Sequence, residues 1–186
     1  MKHPDLYILR HGETEWNQQG RFQGRKDSAL TANGIAQAMK QKALLAKIQK
    51  LPKKKYISPL GRTIHTARLA LGSDKDFILD NRLQEIDFGE WEGSSREEIK
   101  SQIDYSFESG LWNFRSPGGE SFKQISDRVQ DFLKDMVEPA IIVTHGTTSI
   151  VLRGLCMKLN QNEILNLPKD QGCIFHLAEG VETILR

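Results

Sequence analysis

The chain has little of what marks secreted, metal-binding or nucleic-acid-binding proteins. Its 186 residues contain two cysteines, Cys156 and Cys173, with neither the spacing of metal ligands nor the setting of a disulfide-rich domain. We therefore expect two free thiols in a reducing compartment. The formal net charge at pH 7 is only +2, too small to argue by itself for nucleic acid as a partner.

Long apolar runs are missing as well. No run approaches the roughly 18–20 residues that a membrane-spanning helix needs. Residues 1–4 lead into the first predicted strand without the pattern of a signal peptide. We therefore expect a cytoplasmic protein with no membrane partner. Hydrophobic residues still make up 38% of the chain, enough for one domain with a sizeable core.

Strand-like and helix-like segments alternate, which predicts a layered α/β domain. Strands are predicted at 5–10, 56–57, 77–79 and 140–144, with a terminal hairpin at 173–178 and 181–185. Helices are predicted at about 35–50, 59–71, 121–136 and 147–159, and a short one after Ser95. Local signals mark three helix starts: capping boxes at Ser95 and Ser121, and Ser58 as an N-cap with Pro59 at the first helical position.

Two predicted strands end in a histidine followed by a glycine. Arg10, His11 and Gly12 follow the first strand, and His145 and Gly146 follow the strand at 140–144. Ligands of parallel α/β sheets bind outside the carboxyl ends of the strands. Glycine lets the backbone approach a ligand closely, and a helix start offers free N–H groups to an anion. Both pairs are therefore candidate site residues.

Two arginines can join the histidines at this edge. Arg10 carries a planar, permanent charge suited to phosphate or carboxylate, and Arg62 lies in the first turn after the strand at 56–57. Either residue alone is more often structural. Their joint placement at the mouths of different strands predicts an anion-binding pocket, with a phosphoryl group as its expected occupant.

A series of short motifs runs in order from residue 5 to about residue 155. They are RHGETEWN at 10–17, GRFQG at 20–24, LT at 30–31, SPLGR at 58–62, LQEIDFGEWEG at 83–93, PGGES at 117–121 and VTHG at 143–146. Together they resemble the histidine phosphatase superfamily in its phosphoglycerate mutase-like branch. The resemblance implies a three-layer α/β/α sandwich with a mostly parallel central sheet. It implies one domain over 1–186, with 94–116 as a lid-like insertion.

The resemblance also assigns roles to the candidate residues. His11 would be the nucleophile that forms a phosphohistidine, since a neutral imidazole is available near pH 7. Glu85 would act first as general acid and then as general base, helped by the like charge of the bound phosphate. Arg10, Arg62 and His145 would neutralise the phosphoryl oxygens.

Further contacts to the substrate are implied for Asn17, as a hydrogen-bond donor, and for Gln23, Gly24 and Gly146. No metal and no cofactor is expected, because the arginines and histidines supply the positive field. Three carboxylates at positions 87, 90 and 92 are interpreted as loop charges, since no histidine accompanies them at ligand spacing.

The interval between the Trp-Glu-Gly and Pro-Gly-Gly motifs bears on the reaction. In true mutases of the family a longer, basic segment covers the substrate. Here the interval is the 23 residues 94–116, with only three basic residues, Arg96, Lys100 and Arg115. A short cover should admit water. This predicts a phosphomonoesterase acting on a small phosphorylated metabolite, similar to α-ribazole phosphatases and to broad-specificity or sugar-phosphate phosphatases. The alternatives are phosphoglycerate mutase-type transfer and a non-catalytic phosphate-binding module.

Several features stay open at the level of sequence. Five lysines between 47 and 55 are either a solvated helix end or a nucleic-acid contact, and the first is preferred. His65 either tunes Arg62 or is structural. Trp112 and Phe114 are lid aromatics or core. The terminal hairpin either pairs with a second copy, giving a homodimer, or is capped within the chain. Two cations of one loop, Arg25 and Lys26, either meet a second anionic group of the substrate or are exposed.

Overall fold

The computed structural model describes residues 3–101 and 114–186. Its strands form one six-stranded sheet in the order β3-β2-β4-β1-β5-β6. The strands are β1 (Leu6–Arg10), β2 (Lys54–Ile57), β3 (Phe77–Leu79), β4 (Ala140–Thr144), β5 (Ile174–Ala178) and β6 (Val181–Leu185). The predicted strands are confirmed, with β2 starting earlier than expected, at Lys54.

The first four strands in this order are parallel, and the terminal hairpin β5–β6 is antiparallel. β1 and β4 lie side by side, and their register pairs Arg10 with Thr144. Because the two strands are parallel, the residues that follow them, His11 and His145, emerge at the same edge of the sheet. The mostly parallel sheet predicted from the motifs is confirmed.

Helices cover both faces of the sheet. They are α1 (Glu15–Gln18), α2 (Ala32–Leu45), α3 (Gly61–Leu71), α4 (Arg96–Lys100), α5 (Phe122–Lys134), α6 (Gly146–Met157) and α7 (Gln161–Leu165). In β1, Tyr7 and Leu9 pack with α2 and α3 in one core cluster, whereas Leu6 and Ile8 pack with α5 and α6 in the other. Alternate strand residues therefore feed two separate cores, which gives the expected three-layer sandwich.

The predicted capping boxes at Ser95 and Ser121 are both present, at the starts of α4 and α5. Two further short helices start in the same way without having been predicted. Thr14 and Asn17 form the box of α1, and Asn160 caps α7 together with its third residue, Glu163. Capping boxes therefore mark four of the seven helix starts within the described ranges, and the side chain of Thr31 caps a fifth, α2.

The predicted start of α3 is wrong. Ser58 does not cap the helix; α3 begins at Gly61, and the residue in the N-cap position, Leu60, makes no side-chain cap. The free N–H groups are capped instead by Asp27, whose carboxylate accepts from Gly61 N at 2.6 Å and from Arg62 N at 3.3 Å. A residue distant in sequence thus satisfies the helix terminus, and Ser58 becomes available for another role.

The structure also bears on the expectations for the cysteines, for Trp112 and Phe114, and for a membrane-spanning helix. Cys156 and Cys173 are free and buried, as expected, and burial raises the pKa of the Cys156 thiol to about 12. Phe114 packs edge-on against Phe122, with ring centroids 5.3 Å apart, so it belongs to the core. Trp112 lies outside the described residues. In the part of the chain that the structure covers, no helix is long and apolar enough to cross a membrane.

Candidate active site

The candidate residues converge on a cavity of about 310 Å³ at the carboxyl edge of the sheet. His11 is fixed there by the sheet itself, because its N–H donates to the carbonyl of Thr144, the last residue of β4, at 3.0 Å. The residues that line the cavity are Arg10, His11, Asn17, Gly20, Arg21, Phe22, Gln23, Gly24, Arg62, Glu85, Phe88, Arg96, Gly146, Thr147 and Lys169. All the predicted site residues except His145 are among them.

The imidazole of His11 is held in one tautomer. Its Nδ1 lies 2.8 Å from the carbonyl oxygen of Gly12. A carbonyl can only accept, so Nδ1 carries the hydrogen and Nε2 keeps a lone pair. The ring is buried, and burial, followed by the charges of Arg62 and Arg10, lowers the pKa of His11 well below its usual range. At neutral pH His11 is therefore an uncharged imidazole with Nε2 available.

Gly12 is required by the packing of the loop that follows β1. A Cβ at this position would lie 2.2 Å from the carbonyl oxygen of Gly34 in α2, closer than two atoms can approach. On the other side, the Gly12 N–H donates to Thr66 Oγ1 of α3 at 3.1 Å. The loop that carries His11 is thus clamped between α2 and α3.

Arg62 is buried and has a partner for each guanidinium nitrogen. Nη1 donates to the Lys26 carbonyl and to Asp27 Oδ1, and Nη2 donates to the Gly24 carbonyl, all at 2.7 Å. Its Nε lies 3.3 Å from Nε2 of His11. The segment 24–27 therefore fixes the position of the guanidinium against the histidine.

Position 24 must be a glycine for its carbonyl to reach Arg62. Its φ is +54°, and a Cβ would lie 1.9 Å from a carboxylate oxygen of Glu92. The role of Gly24 seen here is to present its carbonyl to Arg62. Contact with a substrate stays a prediction.

Arg10 and His145 each have a buried nitrogen without a partner. Within the described ranges, Nε of Arg10 and Nδ1 of His145 make no hydrogen bond. The Arg10 guanidinium donates through Nη1 to the Lys169 carbonyl, and burial lowers the pKa of Arg10. A buried polar group without a partner costs roughly 1–3 kcal/mol. An anion bound between these two residues would remove that cost.

His145 lies next to His11 and is not among the residues that line the cavity. The two ring centroids are 5.2 Å apart at an angle of 62°. Nε2 of His145 is 2.7 Å from Ser58 Oγ, which explains why Ser58 is buried and does not cap α3. Burial, followed by the charge of Arg62, lowers the pKa of His145 well below its usual range, so this ring is also neutral.

The carboxylate of Glu85 lies on the N-terminus of α6. It accepts from the N–H of Thr147 through Oε2 and from the N–H of Thr148 through Oε1, both at 3.1 Å. These bonds fix the position of the carboxyl group and satisfy two of the free N–H groups at the helix start. The N-terminus of α6 is thus partly occupied by Glu85 rather than open to an anion.

The backbone of Glu85 is positioned from α5. Arg128 donates to the carbonyl of Arg82 at 2.6 Å and to the carbonyl of Glu85 at 3.3 Å. Arg128 is in turn held by the carboxylate of Glu120 at 2.6 and 2.9 Å, and this ion pair is mostly buried. The loop that carries Glu85 is therefore tied to a helix that does not reach the cavity.

The remaining residues with predicted substrate contacts are Asn17, Gln23 and Gly146, and the two side chains differ in whether they have a hydrogen-bond donor left for a ligand. Asn17 lines the cavity, and its Oδ1 accepts from Thr14 N and from Gln171 Nε2, which leaves its Nδ2 to donate. Gln23 also lines the cavity, but its amide already bonds Thr14 and Ser28. Gly146, the first residue of α6, lies on the cavity wall with its Cα against Arg10, since a Cβ there would meet the guanidinium at 3.4 Å.

The two loop cations, Arg25 and Lys26, contact other protein groups and not the cavity. Arg25 lies 3.5 Å from Asp87, and the Lys26 ammonium donates to the Glu92 carbonyl at 3.0 Å. Neither residue lines the cavity, and both are exposed.

His65 is exposed on α3 and is also absent from the cavity wall. Thr66 occupies the position beside the loop of His11 instead. Among residues 3–101 and 114–186, no group of three or more histidine, cysteine or carboxylate side chains could hold a metal ion.

Several residues at the site were not predicted. They are Asp27, which caps α3 and binds Arg62, Ser58, which binds His145, Arg128, which holds the Glu85 loop, and Lys169, which lines the cavity. Ser58 is the first residue of the SPLGR motif, and Asp27 lies three residues after the GRFQG motif, so proximity to a motif was the signal that could have found them. Lys169 and Arg128 lie far from those motifs in sequence, so only the fold brings them to the site.

Comparisons with known proteins identify the family of this chain. The profile of the histidine phosphatase superfamily (branch 1) matches residues 6–182. A Salmonella choleraesuis (strain SC-B67) protein named "Probable phosphoglycerate mutase GpmB" is 37% identical over 159 residues, covering 76% of this chain and 69% of the relative.

Solved structures of the same kind superimpose closely. The α-ribazole phosphatase from Shigella flexneri has a TM-score of 0.83 at 26% identity, covering 98% of this chain and 94% of that one. Bacillus stearothermophilus YhfR has a TM-score of 0.82 at 28% identity, covering 97% and 95%. The named relatives thus include both phosphatases and mutases. This chain belongs to the histidine phosphatase superfamily, as a phosphatase or mutase-like enzyme.

Proposed function

We propose that the protein is a phosphomonoesterase that hydrolyses a small phosphorylated metabolite through a phosphohistidine on His11. One observation carries the proposal: Nε2 of a neutral, buried His11 keeps its lone pair beside Arg62, while Nε of Arg10 and Nδ1 of His145 lack partners in the described structure. When the Ser58 hydroxyl donates to Nε2 of His145, Nδ1 of that ring carries the hydrogen. A phosphoryl group would then supply acceptors for both nitrogens and an electrophile for the lone pair.

In the first step, Nε2 of His11 attacks the phosphorus and the bond to the ester oxygen breaks. Arg10 and Arg62 stabilise the charge that spreads over the equatorial oxygens. The leaving oxygen takes a proton from Glu85 and departs as an alcohol. His11 then carries the phosphoryl group on Nε2, with the hydrogen on Nδ1 still bonded to the Gly12 carbonyl.

In the second step, water attacks the phosphohistidine. Glu85, now a carboxylate, accepts a proton from the water, the N–P bond breaks, and inorganic phosphate leaves. The pair of backbone bonds from α6 holds the carboxyl group of Glu85 in position for both proton transfers.

Asn17 donates a hydrogen bond to the phosphoryl oxygens in this proposal, and Gln23, Gly24 and Gly146 shape the wall around them. The chemistry needs no metal ion and no cofactor, because the positive field comes from the arginines and the nucleophile from His11. The proposed partner is a small phosphorylated metabolite.

Hydrolysis rather than transfer is proposed because the segment at 94–116 is short and has only three basic residues. The second candidate is mutase-type transfer, and the 37% identity to the GpmB relative favours it. In that case the phosphohistidine would return its phosphoryl group to a second phosphorylated acid instead of to water.

The test is to incubate the protein with an aryl phosphate in the presence of a chelator. Turnover that persists with chelator and disappears in His11→Ala is expected. Loss of turnover on chelation would contradict the metal-free mechanism. Absence of hydrolysis together with movement of phosphate between phosphoglycerates would establish the mutase alternative.

A further inference from the structure

The segment 168–171, in the loop between α7 and β5, contributes Lys169 to the cavity wall. The Arg10 guanidinium donates to the carbonyl of Lys169. Gln171 Nε2 donates to the carbonyl of His11 at 3.0 Å. The segment is therefore attached directly to Arg10, the last residue of β1, and to His11, which follows it.

The same segment is anchored from behind by Arg153 of α6. This arginine is fully buried, and it donates to the Pro168 carbonyl and, at 3.0 Å, to both carboxylate oxygens of Glu182. Its guanidinium also lies 3.7 Å from the centre of the Phe175 ring. A buried cation held on three sides makes the wall rigid.

Lys169 places its side chain on the cavity surface of this rigid wall. It is partly buried, and across residues 3–101 and 114–186 its ammonium makes no hydrogen bond or ion pair. Burial lowers the pKa of Lys169, the charge of Glu85 opposes that shift, and Arg10 lowers the pKa further. The ammonium is thus within electrostatic reach of the proposed acid–base group, and an anion beside it would favour its charged form.

The other cations of the cavity are already engaged. Arg62 is bonded on each nitrogen, and Arg21 donates to the Gly93 carbonyl at 2.6 Å. Arg96 has a partner as well. With Arg10 and Arg62 assigned to the phosphoryl group, the part of the cavity wall that the structure describes still holds the cations Arg21, Arg96 and Lys169 against one carboxylate, Glu85. Its charge balance therefore favours a substrate with more than one anionic group.

We propose that Lys169 is a specificity-determining residue that binds a second anionic group, a carboxylate or a second phosphate, on the alcohol side of the substrate. We place the second group on the alcohol side because Glu85 protonates the leaving oxygen of the alcohol, and Glu85 and Lys169 both line the cavity. This rests on the proposed phosphatase function. The preferred substrates are then phosphomonoesters of acids or bisphosphates rather than of neutral alcohols.

The test compares matched substrates in which only the second group changes. 3-Phosphoglycerate and glycerol 3-phosphate differ by a carboxylate in place of a hydroxymethyl group. Glycerol 1,3-bisphosphate keeps the rest of glycerol 3-phosphate and adds a second phosphate on its free terminal hydroxyl. The measured quantity is a ratio of kcat/KM values. For each substrate with a second anionic group, its kcat/KM is divided by that for glycerol 3-phosphate. Because it is a ratio, any general loss of activity in a variant cancels.

Lys169→Met is expected to lower at least one of these ratios about tenfold, mostly through KM, because a charge-assisted hydrogen bond is lost. Lys169→Arg keeps the positive charge and should keep most of the wild-type ratio. Lys123→Met, which removes the same charge from an exposed position on α5, is the control and should leave both ratios at the wild-type values.

Unchanged ratios in Lys169→Met, or an equal fall in Lys123→Met, would overturn the proposal. The proposed phosphatase function is checked separately by hydrolysis of an aryl phosphate by the wild-type protein. Absence of that hydrolysis refutes the function itself, whereas its presence with unchanged ratios refutes only the role of Lys169.

Discussion

Nε of Arg62 lies 3.3 Å from Nε2 of His11. An arginine cannot accept a hydrogen bond, so this contact and the bond from Nδ1 to the Gly12 carbonyl identify the same tautomer independently. The lone pair that Arg62 contacts is the one that must reach phosphorus. When substrate enters, the guanidinium N–H has to exchange the histidine for a phosphoryl oxygen. A guanidinium held by other bonds can make that exchange without moving away.

Asp27→Asn tests how Arg62 is held. Asp27 both accepts from Nη1 of Arg62 and caps α3, so we expect kcat to fall about tenfold and the free energy of unfolding to fall by about 1 kcal/mol. Steady-state kinetics and urea unfolding measure the two effects.

The matched control is Asp74→Asn. Asp74 pairs with Arg68 at the other end of the same helix, where both side chains are exposed, and such pairs contribute roughly 0–1 kcal/mol. This variant should keep the wild-type kcat. Equal kinetic effects of the two substitutions would show that Asp27 does not position Arg62.

Arg128→Met tests the attachment of the Glu85 loop to α5. Loss of the bonds to two loop carbonyls and of the mostly buried ion pair with Glu120 should displace the carboxyl group of Glu85. We expect kcat to fall more for alkyl than for aryl phosphates, because aryl leaving groups need little protonation. Arg128→Lys should recover part of the loss, and Arg68→Met serves as an exposed control. A loss that does not depend on the leaving group would contradict this role.

Ser58→Ala tests the neighbour of His145. Ser58 Oγ is 2.7 Å from Nε2 and fixes the orientation of the ring. Its removal should lower kcat about tenfold and reduce the rise in Tm that inorganic phosphate causes, since a ligand bound to the folded state stabilises it. The control is Ser126→Ala, which removes a buried hydroxyl with no hydrogen-bond partner in the described structure. A phosphate-induced rise in Tm equal to that of the wild type in Ser58→Ala would contradict the assignment.

The two buried histidines make stability depend on pH. The pKa values of His11 and His145 are both held well below the usual 6.5, so below pH 6.5 the unfolded chain binds protons that the folded protein does not. The free energy of unfolding should therefore fall as the pH drops below 6.5, by up to about 1.4 kcal/mol per pH unit for each histidine.

Urea unfolding at pH 5, 6 and 7 measures this slope. The double variant with His11→Asn and His145→Asn should show a smaller fall, and the exposed His65, replaced by Asn, should leave the slope as it is. The same slope in the double variant as in the wild type would contradict the assigned pKa directions.

Much of this site could be predicted because it depends on local signals. Arg10, His11 and His145 stand at the ends of buried strands, and parallel pairing of β1 with β4 forces them to one edge. The start of α3 could not be predicted, since Asp27 caps it from a distant loop and the Ser-Pro signal at 58 is local.

Neither α1 nor α7 was predicted, for different reasons. Asn160 and Glu163 match the capping-box pattern, so the start of α7 could have been predicted from the sequence. The box of α1 uses Asn17 in place of the usual Glu or Gln, so its sequence signal is weaker. Lys169 reaches the cavity because Arg153 and Arg10 hold its loop. Contacts of that kind exist only after the chain has folded.

The central claim is that the phosphoryl group is bound covalently to Nε2 of His11 during the reaction. Its most direct test is to mix Glu85→Gln with an aryl phosphate and quench at short times. An aryl group can leave without the acid, while water attack lacks its base, so a phosphoenzyme should accumulate to about one equivalent. It should be stable to base, labile to acid, located on His11 by mass spectrometry, and absent when His11→Ala is added. Turnover without a phosphoenzyme, or phosphate on any other residue, would contradict the account.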